Sequence, residues 1–226
     1  MLAPSLAFDI AHLLASGMVV LSFFLLYQDR VTATLNVFAC QAIALSLAVA
    51  WQAYIQDAPH LIFTALIALV LKGFVIPTAL HRIVRRLGIH REIEQVIGAG
   101  PSLITALGLV ALSFVLVIPV RAEVTPLVVR EDLAFALAVI LLGLLMMITR
   151  RNAVTQVVGF MSLENGLVLA ATGAKGMPLV VEFSVAFSIL IAFIVFGVFV
   201  FRIRERFDTV DVSALDRFRS EREERP

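Results

Sequence analysis

The chain has 226 residues, of which 61% are hydrophobic and only 15% are charged, and its mean hydropathy is +1.00. This composition lies far outside that of soluble domains, so the sequence is interpreted as a membrane protein. Its single cysteine, Cys40, lies in an apolar run, which excludes an internal disulfide, a thiolate-held iron–sulfur cluster and the usual kind of zinc site. No phosphate-binding glycine loop, HExxH motif or nucleophile constellation occurs, so catalysis by this chain alone is not expected.

Seven apolar runs are long enough to cross a bilayer as helices, because about 20 residues span the hydrocarbon core. In chain order they cover residues 7–27, 32–55, 61–81, 96–118, 132–149, 153–173 and 179–201. No basic segment precedes the first run, which favours a transmembrane helix over a cleaved signal peptide. The predicted fold is therefore all-α, a polytopic membrane bundle of about seven transmembrane helices.

The basic residues predict the orientation of this bundle. With seven spans, the N-terminus and the even-numbered loops share one side, where the basic residues are Arg121, Arg130 and Lys175. The opposite side carries fourteen arginines, and Lys72 is the only basic residue within a span. The positive-inside rule then places the N-terminus outside and the C-terminus in the cytoplasm.

Similar helix lengths suggest two three-helix modules, although residue identity between them is low. We divide the chain into an N-terminal module at 1–95, a linking helix and loop at 96–131, a second module at 132–202 and a charged cytoplasmic tail at 203–226. The tail is too short and polar to form a separate domain. It is interpreted as a solvated extension or as a dock for a soluble or peripheral partner.

Two ionisable side chains lie near the middle of predicted spans. Glu164 comes 12 residues after Asn152 and Lys72 comes 11 residues after Leu61, about 18 Å and 16 Å along their helices. A charge at such depth costs at least about 2.5–3.5 kcal/mol, so it normally serves a purpose. Burial favours the neutral form of an ionisable group, which suits both residues to proton or ion transfer, and a static packing role is the alternative. Pro77 predicts a kink close to Lys72.

Weaker candidates surround these two. Glu182 lies a few residues into the last predicted span, as a third transfer group or as an interfacial carboxylate. A possible polar seam comprises Asn165, Gln156, Ser184, Ser188 and His81, although intramembrane hydroxyl groups more often bond their own backbone. Arg150, Arg151 and Asn152 are predicted to anchor a cytoplasmic hairpin. Asp9 and His12, three residues apart, are expected to pair at the outer interface.

The segment "TRRNAVTQVVGFMSLENGLVLAA" carries a family resemblance. An Arg-Arg-Asn hairpin followed by Ser-Leu-Glu-Asn in an apolar helix is similar to the second helix of subunit K of complex I, and to the C subunit of multisubunit sodium/proton antiporters. This similarity covers residues 132–202. The preceding helices and the tail "RIRERFDTVDVSALDRFR" extend it over most of the chain to hydrogenase-4 component E, a membrane subunit of group 4 [NiFe] hydrogenase and formate hydrogenlyase complexes.

The resemblance implies that Glu164 matches the subunit K glutamate in a lateral chain of buried charges. Subunit K has a second glutamate midway along its last helix, whereas the only carboxylate of the last span here is Glu182, near its outer end. Lys72 is therefore a candidate for the second charge. A non-catalytic subunit of a complex I-like oxidoreductase is implied, with a cation/proton antiporter subunit or a non-conducting structural subunit as alternatives.

The same resemblance defines the expected surroundings of the chain. The expected partners are the lipid bilayer of a bacterial or archaeal cell (inner) membrane, large antiporter-like and other membrane-arm subunits, and peripheral redox subunits. Iron–sulfur clusters and a NiFe-type centre would belong to those partner subunits, since no cofactor or metal site is predicted in this chain. Nucleic acid is not an expected partner.

Overall fold

The computed structural model describes residues 4–87, 98–117 and 127–173, together with the single helical residues 190 and 197. Within the first three ranges the chain forms helices α1 (Pro4–Tyr27), α2 (Val31–Gln56), α3 (His60–Ile67), α4 (Ile76–Leu87), α5 (Ala99–Val117), α6 (Leu127–Thr149) and α7 (Ala153–Gly173). A π-helical segment, Ala68–Val75, joins α3 to α4, so these three pieces cross as one span.

Short polar turns separate α1 from α2, α2 from α3 and α6 from α7, where backbone groups need other partners. Asp57 ends α2 in the left-handed region at φ 50°, and its N–H donates to the carbonyl of Ala53. At the start of α7, the side-chain oxygen of Asn152 accepts the N–H of Val154 at 2.9 Å, which caps the helix. Asn152 thus fixes the beginning of the helix that carries Glu164.

Six described spans are long and apolar enough to cross a membrane, and the described residues contain no sheet. The prediction of an all-α polytopic membrane bundle is confirmed. The observed helices match the first six predicted runs, with α6 beginning five residues earlier than predicted, at Leu127. The predicted seventh span at 179–201 lies almost wholly outside the described residues, as does the tail.

Most of the described helices pack on more than one neighbour. The helices α6 and α7 form a hairpin in close backbone contact, while α1 packs on α2 and α6, and α2 packs on α7 and on the span containing the π-helical segment. The remaining helix, α5, packs mainly on α6 and keeps apolar side chains such as Ile104 and Val115 exposed. Outward apolar side chains are expected where the surroundings are lipid.

Candidate functional site: a buried charged pair

Lys72 and Glu164 meet in the interior of the bundle. The Lys72 Nζ atom lies 3.1 Å from Glu164 Oε1, and the exposed fractions of the two side chains are 1% and 5%. Lys72 lies on the π-helical segment and Glu164 on α7, each about two to three turns from the ends of its span. The structure therefore joins two charges that the sequence places at similar depth without showing that they touch.

The π-helical segment gives Lys72 its position. Eight residues in this wider conformation run up to Ile76, immediately before Pro77, which has no backbone N–H to donate to the preceding turns. A π-helical turn inserts extra backbone relative to an α-helix and so changes which face a side chain occupies. The kink predicted from Pro77 therefore corresponds to a local change of helix type at Lys72.

The charged pair uses little of its hydrogen-bonding capacity. Among the described residues, Lys72 Nζ and both Glu164 carboxylate oxygens have no hydrogen bond of good geometry, although the Nζ–Oε1 contact is short. The adjacent Asn165 Oδ1 is likewise buried without a donor among those residues. Unused donors and acceptors in a region of low dielectric constant are costly unless another group or water supplies the missing contacts.

A hydrogen-bonded network beside the pair ties three helices together. Gln41 of α2 donates to Ser22 of α1 at 2.8 Å and to Ser162 of α7 at 2.9 Å. Its side-chain oxygen accepts a bond from Asn165 of α7 at 3.3 Å. We call these four side chains the Gln41 network. It fixes the rotation of α7 and thereby the direction in which Glu164 projects.

The other residues predicted for a polar seam are distributed more widely. Gln156 is exposed and donates to the carbonyl of Arg150 at 2.7 Å, eight residues before Glu164. His81 lies nine residues after Lys72, where its Nδ1 contacts the carbonyl of Pro77 at 2.9 Å. Eight or nine residues correspond to about 12–13 Å along a helix, so of these only Asn165 is beside the pair. Glu182, Ser184 and Ser188 lie outside the described residues.

Arg150 is buried and holds the α6–α7 hairpin against α1. Its guanidinium Nη2 donates to the carbonyl of Leu26 and lies 3.5 Å from that of Leu25, at the C-terminal end of α1. Carbonyls at a helix C-terminus carry partial negative charge and attract a cation. Burial lowers the pKa of Arg150 from its ordinary value, yet an arginine remains protonated. Arg151, by contrast, is exposed.

A second group of titratable side chains lies at the opposite end of the bundle. His12 Nε2 of α1 is 2.6 Å from Glu131 Oε2 of α6, and His12 Nδ1 is 3.6 Å from Asp132 Oδ1. The expected pairing of His12 with Asp9 is wrong, because these contacts direct the imidazole toward α6, while Asp9 is exposed. We call His12, Glu131 and Asp132 the end cluster.

Sequence reasoning singled out Asn165 and His12 but missed the other members of the Gln41 network and of the end cluster. Gln41 could have been noticed as a polar side chain ten residues into an apolar run. His12 and Glu131 are 119 positions apart, and nothing in the spacing of a single sequence indicates that α1 packs against α6. Contacts between distant helices depend on the packing of the whole bundle.

Comparison with known proteins supplies the family. Over 209 residues the chain is 31% identical to the uncharacterized protein Rv0085 of Mycobacterium tuberculosis, covering 91% of this chain and 94% of that protein. It is 28% identical to hydrogenase-4 component E of Escherichia coli K12 over 210 residues, covering 91% and 95% of the two chains. The chain belongs to the hydrogenase-4 component E family. The Shigella flexneri member matches with the same identity and coverage.

No family model matches the chain, and no solved structure matches it. The family assignment therefore rests on similarity over 91% of the chain to those relatives, and it agrees with the resemblance carried by residues 149–171 and by the helices in front of them.

Proposed function

We propose that this protein is a membrane subunit of a hydrogenase-type complex in the cell membrane and that its Lys72–Glu164 pair takes part in moving protons, or sodium ions, across that membrane. Family membership supports the first part, because the Escherichia coli relative is named as a component of hydrogenase-4. The single observation that carries the second part is the buried contact of 3.1 Å between Lys72 Nζ and Glu164 Oε1 at mid-span.

The chemistry of such a pair follows from its burial. An ammonium and a carboxylate in contact can share one proton in two ways, as an ion pair or as a neutral amine beside a neutral acid. In a low-dielectric interior the two forms lie closer in free energy than in water, because desolvation penalises both charges. A change in nearby charge can then move the proton or separate the pair.

The surroundings of the pair support transfer over static packing. The side chain next to Glu164 is also polar, since Asn165 donates to the Gln41 side-chain oxygen at 3.3 Å, and polar groups around an intramembrane charge are typical of ion or proton pathways. Lys72 also lies in π-helical backbone, a conformation that often occurs at functional sites. Redox chemistry, iron–sulfur clusters and a NiFe-type centre are assigned to partner subunits, and antiporter-like membrane subunits are the proposed neighbours.

The test is Glu164→Gln in the assembled complex. Glutamine keeps the shape and hydrogen bonding of the side chain but cannot take up or release a proton. We expect the complex to assemble and to transfer electrons in detergent, while ion transport in sealed vesicles falls by about a hundredfold, the usual scale for removing a positioned proton-transfer group. Glu164→Asp, shorter by one methylene, should retain partial activity.

Asp57→Asn is the matched control. It also replaces an acid by its amide, but at an exposed left-handed position that asparagine tolerates, so transport should equal that of the wild type. Full transport by an assembled Glu164→Gln complex would assign the pair to packing. Purification in mild detergent tests the other part of the proposal, since co-purification with antiporter subunits and no hydrogenase-type large subunit would indicate a cation/proton antiporter.

A further inference from the structure

The end cluster holds a shared proton. His12 Nδ1 lies 3.0 Å from the carbonyl of Phe8, an acceptor only, so Nδ1 carries a hydrogen. The other nitrogen, Nε2, lies 2.6 Å from Glu131 Oε2, a distance that requires one proton between them. The pair is therefore either imidazolium with carboxylate or imidazole with carboxylic acid. The 2.6 Å contact also leaves no room for a metal ion between these atoms.

Exposure decreases through the cluster toward the interior of the bundle. The exposed fractions of the side chains are 39% for Glu131, 24% for His12 and 10% for Asp132. Asp132 Oδ1 is buried without a hydrogen-bond donor among the described residues, although it lies 3.6 Å from the imidazole. A carboxylate oxygen with unused capacity thus lies at the inner side of a hydrogen-bonded pair that reaches the surface.

Asp132 lines a small cavity between helices α1, α2, α6 and α7. The other side chains around it are Ala11, Ala15, Ala48, Gln52 and Leu169. The alanines keep the space open, because larger side chains at those positions would fill it. The cavity has a volume of about 10 Å³, room for one water molecule at most, and the Asp132 carboxyl and the Gln52 amide supply polar partners for it.

The cavity is aligned with the Gln41 network on three helices. On α1, Ala15 precedes Ser22 by seven residues, and on α2, Ala48 follows Gln41 by seven. On α7, Leu169 follows Asn165 by four residues. Each spacing returns to the same helix face, so on each helix the cavity residue and the network residue lie on one face. On all three helices the cavity is displaced from the Gln41 network toward the same end of the bundle. The cavity therefore lies about 6–10 Å along the helices from the Gln41 network, whose member Asn165 is the neighbour of Glu164.

We propose that the end cluster and this cavity form a proton port, through which protons pass between that membrane surface and the Lys72–Glu164 pair. The inference rests on the proposed transport function and adds the route on one side of the membrane. The port takes protons by exchange at the His12–Glu131 pair, and Asp132 relays them to water in the cavity. Predicted topology places this end outside, so the port would release or receive external protons.

The experiment measures ions moved per electron pair by the full complex in proteoliposomes. Asp132→Asn and His12→Gln should each lower this ratio by about tenfold. This loss is smaller than that expected for removing a positioned proton-transfer group, because the remaining residues of the end cluster stay accessible to water. Ala48→Val should also lower it by filling the cavity without altering a titratable group. Asp9→Asn is the matched control, since it removes an exposed carboxylate from the same end of α1 and should leave the ratio unchanged.

The outcomes separate the port from the transport function itself. If Glu164→Gln loses transport while Asp132→Asn and His12→Gln retain the wild-type ratio, the port is overturned and the proposed function stands. If Glu164→Gln has no effect, the proposed function fails first. Restoration of the Asp132→Asn defect by added sodium would overturn a proton port in favour of a cation site. The port would also be overturned if neither Asp132→Asn nor His12→Gln assembles while Asp9→Asn does, because the end cluster would then be a structural contact.

Discussion

Helix α7 contacts its neighbours in two different ways. Toward α6 it presents Gly159 and Gly166 at backbone contact, and α6 presents Gly143 in return. A Cβ atom on Gly143 would lie 2.5 Å from the Leu163 nitrogen. Toward α2 and the π-helical segment it presents Ser162, Glu164 and Asn165. The first face is apolar and closely packed, whereas the second contains hydrogen bonds and a charged pair with unused capacity.

The difference indicates how a membrane helix can be rigid and still carry a functional charge. Without a hydrophobic driving force between helices in lipid, close backbone approach at small residues supplies the packing energy, and polar side chains add hydrogen bonds. On α7 these two contributions are on different faces. The α6 contact fixes the position of the helix, which leaves the polar face available for changes in protonation and pairing.

The largest expected effect comes from Gly143→Val, which adds branched side-chain atoms where even a Cβ meets backbone. The two helices cannot move apart locally without losing the contact, so we predict failure of the chain to accumulate in the membrane. Overpacking alone commonly costs about 1–3 kcal/mol, and a clash with backbone exceeds that range. Membrane immunoblotting measures the outcome, and normal accumulation with normal thermal stability would show that the α6–α7 contact is not essential.

Lys72→Met is predicted to have the next largest effect. Removing one partner of a buried ion pair costs about 3–5 kcal/mol, although protonation of Glu164 limits the loss. The double variant Lys72→Met/Glu164→Gln should recover most of the stability, because no buried charge remains, while transport stays lost. Thermal unfolding in detergent and transport in vesicles are measured on the same preparations.

A conservative substitution decides between transfer and structure at this position. If Lys72→Met prevents assembly and Lys72→Arg restores it with unchanged transport, then Lys72 is a structural partner of Glu164. If Lys72→Arg assembles but transports poorly, the charge alone is insufficient. That result would fit proton exchange, because an arginine side chain does not release its proton in proteins.

The sequence predicted more of the fold than of the site. Apolar run length identified all six described spans, with α7 predicted at its observed bounds, because membrane crossing imposes a strong requirement on composition. The depth of Glu164 and Lys72 followed from the same runs. The sequence did not predict the contact between Glu164 and Lys72, the Gln41 network or the pairing of His12 with Glu131. These contacts depend on which helices become neighbours and on helix rotation.

Gln41→Leu is expected to have a moderate effect on the polar face. Leucine has a similar volume but leaves Ser22, Ser162 and Asn165 without their shared partner, at a cost of about 1–3 kcal/mol. The loss of transport should be several-fold smaller than in Glu164→Gln, because Glu164 would still exchange protons but would be held less firmly. Equal transport losses in the two variants would instead place Gln41 within the transfer path, and the comparison is made in vesicles from assembled complexes.

The smallest effect is predicted for Gly108→Ala on α5, and it provides the opposite case to Gly143. A Cβ atom on Gly108 meets nothing within 4 Å, whereas the same atom on Gly143 meets backbone at 2.5 Å. Alanine also favours a helix over glycine by up to about 1 kcal/mol. The isolated chain should therefore keep or slightly raise its thermal stability with Gly108→Ala and lose stability with Gly143→Ala. Because the two substitutions are chemically identical, equal losses would show that glycine itself, and not the contact between α6 and α7, determines the stability of this bundle.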